Sequence, residues 1–463
     1  MMAGQWGRAT IARVLPLIAG LSGASTLPGV AQQTTALVDI TIIDATDPSP
    51  RTHQTVLVEG NRITAVGPVD SVTVPAGARR IAGAGKFVIP GLWDMHVHTV
   101  FPGGREVLPL YIANGVTSVR DLAGDWKQIV AWRAEIAKGS LVGPRIMASG
   151  PYLEGGDVPI VHFTTRTPEE ARAAIDSLLA MGVDVIKLHG QLTRETYLAA
   201  ALYAKRLGLR VAGHVPGSVS VAEASDAGVG SIEHMLQIPV SCTPAESVAL
   251  VPRFPVQRVV GRCSSQDMAP LFARLVQNNT WVVPTLVASY EVAHWPKSDL
   301  PGDAYAKYLP DTLKKYVASI FPQLPGIPAD ADIVGMQLFE KRLALVATLF
   351  HAGVGILPGT DAPLRNSPPG FGLHEELRLM VEGGMRTFDV LRAATLEPAR
   401  YFGMIDSLGT VAPGKVADLV VLTASPLENI ENTRKIDLVI SNGRVHDPAK
   451  ILRGAPSGRK PRN

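Results

Sequence analysis

The stretch Phe87-Val88-Ile89-Pro90-Gly91-Leu92-Trp93-Asp94-Met95-His96-Val97-His98 is an apolar run that ends on two histidines separated by one residue. Its length and composition predict a buried strand over 87–98. Alternate strand residues point to one side, so His96 and His98 project together from the strand's C-terminal end. Two imidazoles so placed can chelate one divalent cation. A lone His-x-His arises often by chance and packing, so the rest of the chain must decide.

Further strand-like runs follow at Thr117–Leu122, Arg145–Ser149, Asp184–Leu188, Arg210–His214, Ser231–Met235, Trp281–Thr285 and Gly355–Thr360. Helix-like stretches with Ala, Leu and charge at helical spacing separate most of them, as at Pro168–Met181, Arg194–Leu207 and Val219–Ala227. Thr167 precedes the first as N-cap, with Glu170 three residues on. Eight strand–helix units over about 310 residues predict an α/β fold, a (β/α)8 TIM barrel; a doubly wound open sheet is the competing arrangement. Ser289–Asp332 breaks the rhythm and carries six prolines between strands seven and eight. Loops of that length are usually functional, and this one reads as part of a substrate enclosure.

Both flanks are β-rich. Thr35–Ile43, Thr55–Val58, Arg62–Val66 and Val72–Val74 lie on one side, and Ala417–Leu422 and Ile436–Ser441 on the other. They predict one small β-sandwich domain built from residues 32–90 and 405–450, around a barrel at 91–404. Residues 451–463 form a basic tail. Residues 1–31 read as a secretory signal peptide: Arg8 and Arg13 precede the apolar run Val14–Leu21, and Gly29-Val30-Ala31 supplies small residues at the exit. A disordered tail is the alternative. The apolar run is too short to span a bilayer, so the processed protein is expected in the periplasm or outside the cell, off the membrane. There Cys242 and Cys263 either pair or remain separate buried thiols.

The chain has 463 residues, 46% hydrophobic and 18% charged, with a formal net charge of +3. Six basic residues lie in the two ends (Arg8, Arg13, Arg453, Arg459, Lys460, Arg462), and without them 38 positive charges face 41 negative ones. That balance gives no nucleic-acid footprint. A small-molecule substrate is the expected partner on the residues described next, with a homo-oligomer compatible.

Other ligand-type residues fall at strand ends. Lys187 sits inside the apolar Val185-Ile186-Lys187-Leu188, where an ammonium is costly to bury. His214 closes Val211-Ala212-Gly213-His214, His234 closes Ile232-Glu233-His234, and Asp361 closes Pro358-Gly359-Thr360-Asp361. In a barrel these ends share one rim. Singly each reads as a core or turn residue; together they point to a metal centre.

His96-x-His98, Lys187, His214, His234 and Asp361, in that chain order, together with Leu408-Gly409-Thr410-Val411-Ala412-Pro413-Gly414-Lys415-Val416-Ala417-Asp418-Leu419, make the chain resemble the amidohydrolase superfamily from about Thr35 to His446. The resemblance implies a (β/α)8 barrel with a β-sandwich flank. It implies two divalent metal ions, with His96, His98 and Asp361 on one, His214 and His234 on the other, and an N6-carboxylated Lys187 bridging them. Zinc suits these donors and a reaction without redox change; manganese, cobalt and iron stay open. A water shared by the ions becomes a hydroxide nucleophile near neutral pH. Asp361 then takes its proton and passes it to the leaving group.

Within the superfamily, deaminases typically lack the strand-four lysine and carry an acid three positions after the strand-five histidine. Here Lys187 is present and Gly217 occupies that position, which favours hydrolysis. The chain looks most similar to the branch of imidazolonepropionase-like proteins and prolidase-type enzymes, which implies cleavage of an amide-type C–N bond in a dipeptide or N-acyl amino acid. Those enzymes commonly carry Gly-Gly-His after strand three, where this chain has Glu154-Gly155-Gly156-Asp157. A lactam, lactone or ester hydrolase with the same binuclear centre is the alternative, and a non-catalytic metal- or ligand-binding protein is the alternative of another class. Tyr152 is placed to hydrogen-bond a carbonyl oxygen in the transition state or to pack at the rim. His189 reads equally as a substrate contact or a structural residue. Arg120 is expected to pair with an internal acid such as Asp121. His162 and Tyr290 are rim-loop candidates, and His374 is assigned no metal.

Overall fold

The computed structural model describes residues 34–158, 160–235, 237–242, 264, 266–294, 300, 302–320 and 331–455. The signal-peptide segment, Cys263 and most of the basic tail lie outside these residues, as does part of 289–332.

The run at 87–98 folds as two strands. Phe87–Pro90 and Leu92–Val97 belong to different sheets. The break falls at Pro90-Gly91, because a Cβ at Gly91 would stand 2.0 Å from Thr117 Oγ1. Phe87–Pro90 therefore continues a sheet at the chain's flanks, while Leu92–Val97 enters the centre.

The flanking sheet has eight strands drawn from both sides of the chain. Thr35–Ile42, Arg51–Glu59, Arg62–Pro68, Arg79–Ala82 and Phe87–Pro90 join Leu419–Leu422, Ile436–Ser441 and Arg444–His446. The seam is the antiparallel pairing of Val88 with Val421 and Ile89 with Val420. Period-two alternation gives this seam two buried faces. Val88, Leu419 and Val421 join Leu37, Ile40, Val56 and Ile63 in a small core, whereas Ile89, Val420 and Leu422 pack into the large central one. Val72–Val74 is not a strand; its place is taken by Arg79–Ala82, which pairs parallel with Thr35–Val38.

The centre alternates parallel strands with helices. Leu92–Val97, Val116–Asp121 and Arg145–Ala148 form one sheet. His162–Thr164, Tyr152–Glu154, Ile186–Leu188, Val211–Gly213, Ser231–Glu233 and Trp281–Val283 form the other, in that spatial order. Gly355–Thr360 is not a regular strand. The segment makes isolated parallel bridges, Ile356 to Val282 and Ala362 to Val97, and Met95 N donates to Pro358 O at 2.8 Å. Asp184 N donates to Ala148 O at 2.9 Å between the two parallel sheets.

Helix ends follow local chemistry. Thr167 and Glu170 form a reciprocal capping box for Pro168–Met181, and Ser220 and Glu223 form another for Val221–Asp226. Asp125 and Thr193 cap Trp126–Lys138 and Arg194–Arg206. Ser289–Ala293 lies in the helix Leu286–Ala293, so the excursion after strand seven starts later than Ser289. Within it, Asp311–Ile320 is helical, and Tyr316 stacks on Phe101 with ring centres 6.0 Å apart. No helix among the described residues is long and apolar enough to cross a membrane.

Candidate metal centre and its supports

All strand-end residues singled out above open onto one pocket of about 130 Å³, lined by His96, His98, Lys187, His214, His234 and Asp361 with Leu122, Ala123, Tyr152, Ile160 and His189. The parallel strands bring their C-terminal ends to one side, so residues far apart in sequence converge there.

His98 Nε2 lies 3.1 Å from Asp361 Oδ1, and His96 Nε2 lies 3.4 Å from the same oxygen. One ligand atom from each of these three residues fits within 4.8 Å of the others. The His96 and His234 ring centres are 4.5 Å apart, and those of His214 and His234 are 4.8 Å apart. His234 and Asp361 adopt φ of 62° and 59°, in the left-handed region that non-glycine residues seldom occupy. Strain of that kind is retained where the surroundings over-determine the conformation.

Two imidazoles are held from behind. His96 Nδ1 lies 2.8 Å from Glu233 Oε2, and His234 Nδ1 lies 2.7 Å from Thr285 Oγ1. Each contact spends Nδ1 and leaves Nε2 for the pocket, the arrangement that orients metal-binding histidines. Glu233 is fully buried, and its other oxygen accepts from Arg120 Nη2 at 2.8 Å. Arg120 thus pairs with Glu233 and not with Asp121. Asp121 instead accepts from the backbone N and hydroxyl of Thr99, both at 2.6 Å. The residues that sequence reasoning missed are these supports. Glu233, an acid inside the apolar run Ser231-Ile232-Glu233, carried a legible signal; Thr285 carried none.

Lys187 is 2% exposed, and its Nζ has no hydrogen-bond partner among the described residues. Burial pushes its amine down to about 8, against the opposing charges of Glu233 and Asp361. Burial, reinforced by Lys187, lowers His96 to about 4 and holds His214 well below the ordinary range. Burial alone would raise Asp361 and Glu233. The surrounding imidazoles hold the first far below the usual carboxylate range, and Arg120 with His96 does the same for the second. Four imidazoles and a carboxylate converging on one pocket fit divalent cations as to donor type.

Tyr152 lies beside the cluster, its ring centre 4.9 Å from that of His189 and 5.9 Å from that of His162. Burial raises its hydroxyl above the ordinary phenol range. His189 Nδ1 contacts Glu154 Oε2, and its ring centre lies 4.3 Å from that of His214. Tyr290 instead packs on His294 and Phe339 and lines a separate polar cleft with Glu375, Arg378 and Arg434. His374 is buried against Thr433, its Nδ1 2.9 Å from Oγ1, away from the cluster.

The family model described as the Amidohydrolase family matches residues 87–446. An ochratoxinase of Aspergillus niger is 25% identical over 413 residues, covering 74% of this chain and 72% of that protein. An imidazolonepropionase of Vibrio cholerae is 23% identical over 442 residues, covering 87% and 92%. Among solved structures, a putative prolidase from Bifidobacterium longum superposes with a TM-score of 0.68 at 24% identity, covering 92% of this chain and 99% of that one. At that identity the likeness speaks for the fold.

Proposed function

The chain belongs to the amidohydrolase family, and from that premise we propose that it is a metal-dependent hydrolase of an amide-type C–N bond in a small N-acyl amino acid or dipeptide. The observation that carries this reading is the convergence of His96, His98, Lys187, His214, His234 and Asp361 on one small pocket. The names of the sequence relatives, an ochratoxinase and an imidazolonepropionase, support it.

In this reading His96, His98 and Asp361 would hold one divalent ion, zinc by donor type, and His214 and His234 would hold a second. Lys187, if carboxylated on Nζ, would serve both; conversion to a carbamate would turn a buried cation into an anionic donor. Bound there, the ions supply Lewis acidity towards a carbonyl oxygen and a water. Glu233 and Thr285 keep His96 and His234 turned to the pocket. Asp361 accepts the proton released by the attacking water and delivers it to the departing nitrogen, since an amide anion does not leave unprotonated. Tyr152 donates its hydroxyl to the carbonyl oxygen as charge develops there. The two parallel sheets and the 355–362 segment close as a (β/α)8 barrel over 91–404, flanked by the sheet domain of 32–90 and 405–450. Supporting this are the bridges from Ile356 and Ala362 to either side. Removal of residues 1–31 would deliver the enzyme to the periplasm or exterior.

The test is a hydrolysis screen of dipeptides and N-acyl amino acids with metal content measured on the same sample. Release of a free amino acid by the wild type, lost in Asp361→Asn with metal largely retained, supports the reading. A metal-loaded wild type that cleaves none of these compounds overturns it.

A further inference from the structure

In Glu154-Gly155-Gly156-Asp157, the tetrapeptide in which this chain departs from its branch, the first three residues clamp a side chain just past the neighbouring strand Ile186–Leu188. Glu154 is 0% exposed. Its Oε1 accepts from the backbone N of Gly155 at 2.6 Å, of Gln191 at 3.1 Å and of Gly156 at 3.4 Å, while Oε2 contacts His189 Nδ1. The two glycines let the 189–191 turn approach. A Cβ at Gly155 would stand 2.4 Å from Gln191 O, and one at Gly156 2.2 Å from Gln191 Oε1. Backbone N–H groups fill one carboxylate oxygen, and the other is aimed at a single imidazole nitrogen. A carboxylate so surrounded only accepts, so Nδ1 of His189 carries the proton and donates.

The ring is fixed in a second way. Tyr152 lies on one side with centres 4.9 Å apart and His214 on another at 4.3 Å. His189 nevertheless keeps 29% of its side chain exposed and lines the same pocket as the ligand-type cluster. Its Nε2 has no protein partner among the described residues. Leu122, Ala123 and Ile160 complete the lining and offer no hydrogen-bonding side chain. A polar atom held at a fixed place in such a pocket is the usual means of orienting a small ligand.

We propose that His189 is a substrate-contacting residue that offers Nε2 to a polar atom of the acylated substrate, and that Glu154 is its positioning residue. This rests on the hydrolase reading above and deepens it, because the apolar wall then takes the hydrocarbon part of the acyl group. The contact adds specificity because a substrate without a partner for Nε2 leaves a hydrogen-bonding atom unpaired on binding.

The test uses the metal-loaded full chain, the N-acyl amino acid panel, and the variants His189→Phe, Glu154→Ala, Glu154→Gln and His189→Phe/Glu154→Ala. Phenylalanine keeps a ring against Tyr152 and His214 but removes both nitrogens, so a packing role predicts near-wild-type behaviour. The proposal predicts a fall in kcat/KM of about 10- to 100-fold, carried mainly by KM, with two metals still bound. Glu154→Ala should lose a comparable factor and Glu154→Gln less, because an amide oxygen can still accept from Nδ1. The double variant should be no worse than the more damaging single one. Unchanged kcat/KM in His189→Phe, additive losses in the double variant, or loss of metal overturns it. Calorimetric binding of the same panel to metal-loaded Asp361→Asn, with and without His189→Phe, separates the two readings. Binding that weakens about tenfold with His189→Phe, alongside a wild type that cleaves nothing, keeps the contact and sinks the hydrolase. A chain that neither binds nor cleaves any member sinks both.

Discussion

Arg120 and Glu233 form an ion pair at 2.8 Å with both side chains at 0% exposure, and the free oxygen of Glu233 reaches His96 Nδ1 at the same distance. Arg120 also donates Nε to Met95 O at 2.6 Å and Nη1 to Ser231 Oγ at 2.8 Å. The pair thus ties the strands Leu92–Val97, Val116–Asp121 and Ser231–Glu233 together beneath the pocket. Removing one member of a buried pair leaves an uncompensated charge and costs about 3–5 kcal/mol. Arg120→Met should lose about that much unfolding free energy in urea. Arg120→Met/Glu233→Gln should recover a part of it, because the stranded carboxylate is gone. Equal losses in the single and double variants would mean that packing, not charge, is what Arg120 contributes.

His234 depends on a hydroxyl in the same way that His96 depends on a carboxylate. Thr285 Oγ1 stands 2.7 Å from His234 Nδ1, and valine has nearly the same shape without the oxygen. Thr285→Val should leave the fold intact and weaken metal affinity by about 10- to 100-fold, the usual effect of losing such a partner. Competition against a chelator of known affinity, followed by metal analysis, measures it.

The ligand-type residues were legible because their chemistry conflicts with their place. An ammonium in Val185-Ile186-Lys187-Leu188, and histidines closing three apolar runs, have no packing reason to be there. Their supports were harder to find. Glu233 showed the same conflict, but its partner Arg120 lies 113 residues away, and proximity in sequence suggested Asp121 instead. Thr285 sits where a threonine is ordinary. The break at Gly91 was hidden because a continuous apolar run does not reveal which of two sheets each half joins; Thr117, packed against Gly91, decides it. Residues 355–360 looked like the other strands and yet pair through single bridges. Hydropathy registers burial and not ladder regularity.

Lys187 makes a prediction for the metal-free protein. Its buried Nζ has no hydrogen-bond partner among the described residues, and an unsatisfied buried polar group costs about 1–3 kcal/mol. Lys187→Met should therefore stabilise the stripped protein by about that amount while abolishing tight binding of two ions. The linkage has a definite sign. The amine falls from an ordinary 10.5 to about 8 on folding, so the unfolded chain binds more protons between those values, and stability rises with pH across the window. Lys187→Met should remove that rise. Urea titrations of metal-free protein at pH 8 and pH 10 check both statements.

Glu376 provides a pH dependence from outside the pocket. It is fully buried on the helix Phe371–Glu382; Oε2 accepts from Val287 N at 2.8 Å, and Oε1 has no hydrogen-bond partner among the described residues. Burial raises its carboxyl from 4.5 to about 8, against the two backbone donors Val287 and Leu286. The folded state thus holds a proton that the unfolded chain releases near 4.5. The stabilisation is complete below 4.5 and is lost as pH rises through 8, at up to about 1.4 kcal/mol per pH unit. Burial also raises Glu291 and Asp94, each to about 7, and their contributions carry the same sign but end lower. The fall in stability between pH 7 and 8 therefore belongs chiefly to Glu376. Glu376→Gln, which keeps an acceptor for Val287 N and cannot ionise, should flatten the unfolding free energy across that interval, which lies above the range where the buried histidines act in the opposite sense. Unfolding curves for both proteins in metal-free buffer at half-unit steps measure the slopes. An unchanged slope from pH 7 to 8 in Glu376→Gln would mean that this carboxyl does not hold its proton in the folded chain.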